Sequence, residues 1–209
     1  MYAPKPVSEL CPDPSVLGLS RDARGWNGTH PVFAETFKSV DPENVIEVGS
    51  WYGQGTLHLA SLMQNPEGKL YCIDTWLGGA DHLVNDEFSE NHVPRQHGYP
   101  TLYNQWLYNV ASSPHAGRVY PVPQTSVDGL RILKHIGVSA DIIVIDGSHQ
   151  YLDVYADLQH ALPLLNNGGV MIMDDFRSHK GVFHAVLRFA FEADLSLREN
   201  GPFAIFTPR

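Results

Sequence analysis

The stretch Val45-Ile46-Glu47-Val48-Gly49-Ser50-Trp51-Tyr52-Gly53-Gln54-Gly55-Thr56 places three glycines between a short apolar run and the start of a helical pattern. Val45–Val48 lacks the strict polar/apolar alternation of a half-exposed strand, so it reads as a strand covered on both faces. Glycine is needed where a chain turns sharply and a ligand approaches the backbone. The spacing is G-x-x-x-G-x-G. Starting the dinucleotide pattern G-x-G-x-x-G at Gly53 puts His58 where the third glycine belongs, so a pyrophosphate cradle is disfavoured. Glu47 points the same way, because a carboxylate beside the loop repels phosphate and suits a cationic ligand.

Three further apolar runs follow: Leu70–Ile73, Ile142–Ile145 and Val170–Met173. Each ends at an acidic residue, namely Asp74, Asp146 and Asp174-Asp175. Helical patterns alternate with them. Phe33, Phe37 and Val40 follow Pro31 at helical spacing, and Asp41-Pro42 stops that helix. Tyr151, Val154, Tyr155, Leu158, Ala161, Leu162 and Leu165 make one apolar face, with Asn166-Asn167-Gly168-Gly169 as its expected C-terminal cap. Val182, Ala185, Val186, Phe189 and Ala190 make another. Shorter helices are expected at Thr56–Gln64 and Ser126–Ile136, capped by Thr56 and Ser126. Leu195–Arg198 and Phe203–Thr207 flank Asn200-Gly201, a hairpin signature. The pattern gives an α/β fold: a doubly wound, mostly parallel seven-stranded sheet, Rossmann-like, with one antiparallel edge strand. Residues 1–28 read as an irregular lead-in and 29–209 as a single domain. An insertion at about 78–117, carrying His82, His92, His97 and His115 with Tyr99, Tyr103, Trp106 and Tyr108, reads as a lid or as a surface excursion with a helix near Leu102–Val110.

In an open parallel sheet the ligand sits outside the carboxyl ends of the strands, where the acidic residues fall. Asp74 ends the second strand 21 residues after Gly53, a place from which a carboxylate accepts hydrogen bonds from ribose hydroxyls. Asp146 and, 28 residues later, Asp174-Asp175 bring three carboxylates to one sheet edge. Crowded carboxylates repel, and one takes up a proton unless a cation sits among them. Three oxygen ligands suit Mg²⁺ or another divalent cation; the bland alternative is that Asp174 or Asp175 caps the next helix. His149 lies three residues beyond Asp146, and His179 and His184 follow the pair, lining an acceptor pocket or facing solvent.

The motifs E-V-G-S-W-Y-G-Q-G and Y-C-I-D-T-W resemble those of class I S-adenosylmethionine-dependent methyltransferases. The resemblance runs from about Trp26 to the C-terminus and is closest to the metal-dependent small-molecule O-methyltransferases of the macrocin and catechol types. It implies that Glu47, Gly49, Ser50, Trp51 and Gly53 line the methionine end of the cofactor, with Asp146 close by. It also implies that Asp74 binds the ribose and that Thr125-Ser126 lies beside the adenine. Asp146, Asp174 and Asp175 match the metal-binding positions of those enzymes, and His149 matches their general base. The function implied is divalent-metal-assisted O-methylation of a small hydroxylated molecule, a sugar or natural product. Two alternatives are a hydroxylase-like or other non-methylating enzyme on the same fold and a non-catalytic nucleoside-binding protein.

Composition narrows the partners. The 209 residues carry 14 Lys+Arg against 23 Asp+Glu, a formal net charge of −9, and no basic cluster of the kind nucleic-acid phosphates require. No run approaches the roughly 18 apolar residues of a membrane span, and the N-terminus lacks a signal-peptide pattern. Cys11 and Cys72 are too few for a disulfide framework or a cysteine-rich metal site. A cytoplasmic protein is expected, and the insertion's composition also suits burial against a second subunit of a homo-oligomer.

Overall fold

Side chains along β1 (Asn44–Val48) go alternately to two cores: Val45 to one, Ile46 and Val48 to the other. The same alternation recurs in β2 (Lys69–Asp74), β4 (Ala140–Ile145) and β5 (Leu165–Met173), which explains why the sequence shows apolar runs without a polar face. The structure, a computed structural model, describes residues 3–80, 82 and 93–209. The expected lid at 78–117 lies partly outside the described residues, His92 included.

With β3 (Val119–Pro123), β6 (Leu195–Asn200) and β7 (Phe203–Pro208), the strands form a seven-stranded sheet in the order β3-β2-β1-β4-β5-β7-β6. The pairs β3–β2, β2–β1, β1–β4 and β4–β5 are parallel, and β7 alone runs antiparallel to both neighbours. The expected reversal is supplied by the closing hairpin at that edge of the sheet. Its turn residue Gly201 has φ 60°, which a two-residue turn starting with glycine favours. Helices α1 (Pro31–Val40), α2 (Gln54–Leu62) and α3 (Leu102–Ala111) cover one face. Helices α4 (Ser126–His135), α5 (Tyr151–Ala161) and α6 (Lys180–Glu192) cover the other. The order reverses between β1 and β4, so a crevice opens beyond their carboxyl ends.

Several local expectations need correction. Helix α2 starts at Gln54 because Gly53 takes φ 92° as its N-cap, which leaves Thr56 inside the first turn rather than capping it. Thr125, not Ser126, caps α4 by accepting from Asp128 N–H at 3.3 Å. Helix α5 stops at Ala161, and Asn166-Asn167-Gly168-Gly169 falls within β5. The cause is Pro163, which has no N–H to give to the preceding turn and opens a short 3₁₀ segment instead. Trp76, Trp106 and Phe176 are all buried in the cores.

Asp157 of α5 is buried, and its Oδ1 has no hydrogen-bond partner among the described residues. Burial raises its pKa from 3.8 to about 7, opposed by a hydrogen bond from Ser126. The folded protein therefore holds a proton that the unfolded chain releases between those values. This contribution is full below the unfolded pKa and is lost as pH rises through the folded one. At 1.36 kcal/mol per unit, the loss is about 4 kcal/mol at most. Urea titrations at pH 5 and pH 8 should show Asp157→Asn with a flatter pH–stability curve and a gain over the wild type at pH 8. Parallel curves for the two proteins would contradict this account.

Candidate active site

The glycine loop is fixed by where β1 and β4 converge. Gly49 has φ 86°, its N–H donates to the Ile73 carbonyl at 2.9 Å, and a Cβ placed on it would lie 1.9 Å from the Asp146 carbonyl oxygen. Only glycine lets the two strand ends approach so closely. Asp74 holds the loop from the other side. Its Oδ2 accepts from Ser50 N–H at 2.8 Å and Trp51 N–H at 2.9 Å, and its Oδ1 from Trp76 N–H at 2.7 Å. Trp51 and Trp76 sit at φ 48° and 51°, and Asp175 at 59°. Backbone strain thus follows the ends of β1, β2 and β5, as it does at functional sites, at about 1–3 kcal/mol per residue.

Glu47 faces the start of α2. Its Oε2 accepts from Ser50 Oγ at 2.6 Å and Thr56 Oγ1 at 2.5 Å, and Trp106 Nε1 donates to Thr56 Oγ1 at 3.1 Å. Burial pushes the carboxyl up to about 7 while the two hydroxyls pull it down. Between this loop and the residues before α1 lies a narrow cleft with a cavity volume of about 50 Å³. Its lining includes Glu47, Gly49, Ser50, Trp51, Asp146 and Asp174. The Trp51 indole N–H is buried with no partner among the described residues. Gly53, by contrast, turns the loop into α2 and packs against the Trp106 ring. Thr125 and Ser126 follow the end of β3, beside β2, and are not among the residues lining this cleft.

The cleft's other wall was not legible in the sequence. Arg24, Gly25, Trp26 and Gly28, from the lead-in, form a strap across the glycine loop. A Cβ on Gly28 would come within 2.9 Å of Gly55 N, so the pair Gly25/Gly28 was the available signal for this close passage. Asn27, at φ 53°, extends the strap by donating from Nδ2 to Asp174 Oδ1 at 3.2 Å.

At the ends of β4 and β5, Asp146, Asp174 and Asp175 form a mutually repelling group. Burial, then the charges of Asp174 and Asp175, raises Asp146 well above the usual carboxylate range. Burial likewise raises Asp174 to about 7, against a hydrogen bond from Asp175 N–H. Burial would also raise Asp175, but His149 and Ser178 outweigh it and hold its pKa below the usual value. His149 Nε2 lies 2.9 Å from Asp175 Oδ2, which fixes the ring against the acidic group. Asp146, Asp174 and Asp175 are thus brought together electrostatically. Among the described residues, however, the ligand atoms that converge within 4.8 Å belong to His149, Asp175 and His179. Asp174 departs from that set because it is turned toward Asn27 and the Asp175 backbone.

A methyltransferase-domain family model matches residues 46–176, more than half of the chain, from β1 to just past β5. The chain belongs to this methyltransferase family. The matched span holds the glycine loop, Asp74, Asp146, His149, Asp174 and Asp175. Solved methyltransferases share the fold across nearly the whole length. The O-methyltransferase TomG of Streptomyces achromogenes, involved in tomaymycin synthesis and solved with SAM, aligns at TM-score 0.63 and 15% identity over 97% of this chain and 89% of its own. The calicheamicin methyltransferase CalS11 aligns at TM-score 0.65 and 17% identity, over 99% of this chain and 87% of its own. A Bacillus cereus O-methyltransferase in complex with SAH aligns at 0.57 and 16%, over 96% and 90%. No curated protein matches this methyltransferase at significance. No helix among the described residues is long and apolar enough to cross a membrane.

Proposed function

We propose that this methyltransferase transfers the methyl group of S-adenosylmethionine to a hydroxyl of a small molecule, with His149 as general base and a divalent cation assisting. The observation that carries this reading is the contact between His149 Nε2 and Asp175 Oδ2 at 2.9 Å, next to the cleft-lining Asp174. The cleft suits the donor. Trp51, whose indole N–H has no partner among the described residues, lines the cleft, and Glu47, Asp146 and Asp174 put acidic groups on its wall for the sulfonium end. Asp74 would serve the ribose through the remaining lone pair of Oδ1, because Oδ2 already accepts from both Ser50 and Trp51 N–H. Thr125 and Ser126 would flank the adenine from the end of β3.

The crowded carboxylates fit a hard divalent ion such as Mg²⁺, since their mutual repulsion is relieved by a cation. Asp146, Asp174 and Asp175 would hold it. Such an ion, when bound, lowers the pKa of a coordinated hydroxyl. The Asp175 carboxylate accepts from His149 Nε2–H, which places the basic lone pair on Nδ1. The acceptor oxygen attacks the methyl carbon, the carbon–sulfur electron pair stays on sulfur, and the hydroxyl proton passes to His149. Asn27, bonded to Asp174, holds the strap as the wall of the cleft opposite the glycine loop.

Incubation with S-adenosylmethionine and a panel of hydroxylated sugars and phenols should yield S-adenosylhomocysteine in the presence of Mg²⁺ and little after exhaustive chelation. Full turnover without divalent ions would leave the acidic group as hydrogen-bond acceptors and helix caps. Binding of NADH in place of S-adenosylmethionine would remove the methyl-transfer reading.

A further inference from the structure

We propose that His149, Asp175 and His179 form a cation site distinct from the all-carboxylate one, selective for a borderline transition ion such as Zn²⁺ or Co²⁺. The ligand atoms of the three residues lie within 4.8 Å of one another. His149 Nε2 stands 2.9 Å from Asp175 Oδ2, and His179 Nδ1 stands 3.7 Å from Asp175 Oδ1. The second distance is too long for a hydrogen bond, and His179 Nδ1 is buried without a partner among the described residues. A buried ring nitrogen aimed at a carboxylate it does not reach is a ligand position. The side chains themselves are only partly covered, so an ion can enter from solvent.

The fold builds this juxtaposition. His179 is the N-cap of α6, and Gly181 in its first turn passes so close to the loop before α5 that a Cβ there would lie 2.2 Å from the His149 carbonyl oxygen. That approach brings the two imidazoles together, stacked with centroids 3.8 Å apart at 16°, so one ring has to rotate about its Cβ–Cγ bond for both in-plane lone pairs to meet at one ion. Asp175, at φ 59°, turns its carboxylate toward both rings. Two imidazoles and one carboxylate are a donor set for Zn²⁺, Co²⁺ or Ni²⁺, whereas Mg²⁺ takes oxygens. The two sites share Asp175, so occupancy of one excludes the other. A transition ion bound at His149 Nε2, the nitrogen beside Asp175, moves the ring proton to Nδ1 and so removes the lone pair that proton removal uses, inhibiting rather than assisting it; that consequence rests on the methyl-transfer reading, whereas the site itself does not.

Co²⁺ titration of the full chain, read by visible absorption, tests the site. One equivalent should bind with a d–d band in the wild type and in Asp174→Asn. The band should vanish in His179→Gln, with affinity down by about tenfold or more. Because the variant's fold is a separate matter, ¹⁵N-imidazole spectra of the wild type provide the second arm: Zn²⁺ should shift the His149 and His179 resonances together. An unchanged band in His179→Gln, or Zn²⁺ shifts confined to other histidines, would overturn the site. Failure of the methyl-transfer reading would appear separately, as absent S-adenosylmethionine turnover with the Co²⁺ band intact.

Discussion

His149→Ala should lower the methyl-transfer rate by about 10²–10⁴-fold, the span of a general base, while leaving S-adenosylmethionine affinity nearly unchanged. The ring contacts Asp175 and His179 and is not among the residues lining the cleft, so its loss removes no donor contact. Only neutral imidazole accepts a proton, so the wild-type rate should climb with pH as imidazolium is depleted, and the variant should lack that limb. Losing Asp146 or Asp174 should instead weaken the acceptor's binding as well as the rate, because a coordinated hydroxyl is both held and activated. The check is a pair of pH–rate profiles at saturating cofactor and Mg²⁺. An unaltered profile in His149→Ala would reduce this residue to packing against His179.

Gly49→Ala should have the largest effect on the donor site. A Cβ at φ 86° and 1.9 Å from the Asp146 carbonyl oxygen cannot be accommodated without parting the ends of β1 and β4. Backbone strain alone costs about 1–2 kcal/mol, and the displacement adds several more by unseating Asp146. The expected outcome is a melting temperature lower by many degrees and loss of S-adenosylmethionine binding by more than about 10²-fold, the equivalent of roughly 3 kcal/mol. Wild-type melting with wild-type binding would show that the loop is not where the strands meet.

The central strands and the glycine loop are legible because their physics is local: β-branched runs buried on both faces, and a glycine where two backbones touch. Strand β3 is weak in sequence because Pro121 and Pro123 interrupt it, which an edge strand tolerates. The end of α5 was overrun because the apolar spacing continues through Leu162 and Leu165, while Pro163 has already stopped the helix. The strap was hidden because Asn27 meets Asp174 across 147 residues, a contact no periodicity announces. Asp74 is expected from sequence to accept from ribose hydroxyls; its donors in the structure are the backbone N–H groups of Ser50, Trp51 and Trp76, partners that no spacing announces. His179 follows Asp175 by four residues, across the turn that precedes α6. Its meeting with His149 depends on Gly181 and the packing of α6, which only the tertiary structure supplies.

The most direct test is a crystal structure with S-adenosylhomocysteine and Mg²⁺. The thioether should lie in the cleft between Gly49–Trp51 and the Arg24–Gly28 strap, and a single ion should sit on Asp146, Asp174 and Asp175 at roughly 2.0–2.1 Å. The His149 ring should face the open coordination position. S-adenosylhomocysteine bound away from the glycine loop, or an ion with none of those three aspartates as ligands, would contradict the account.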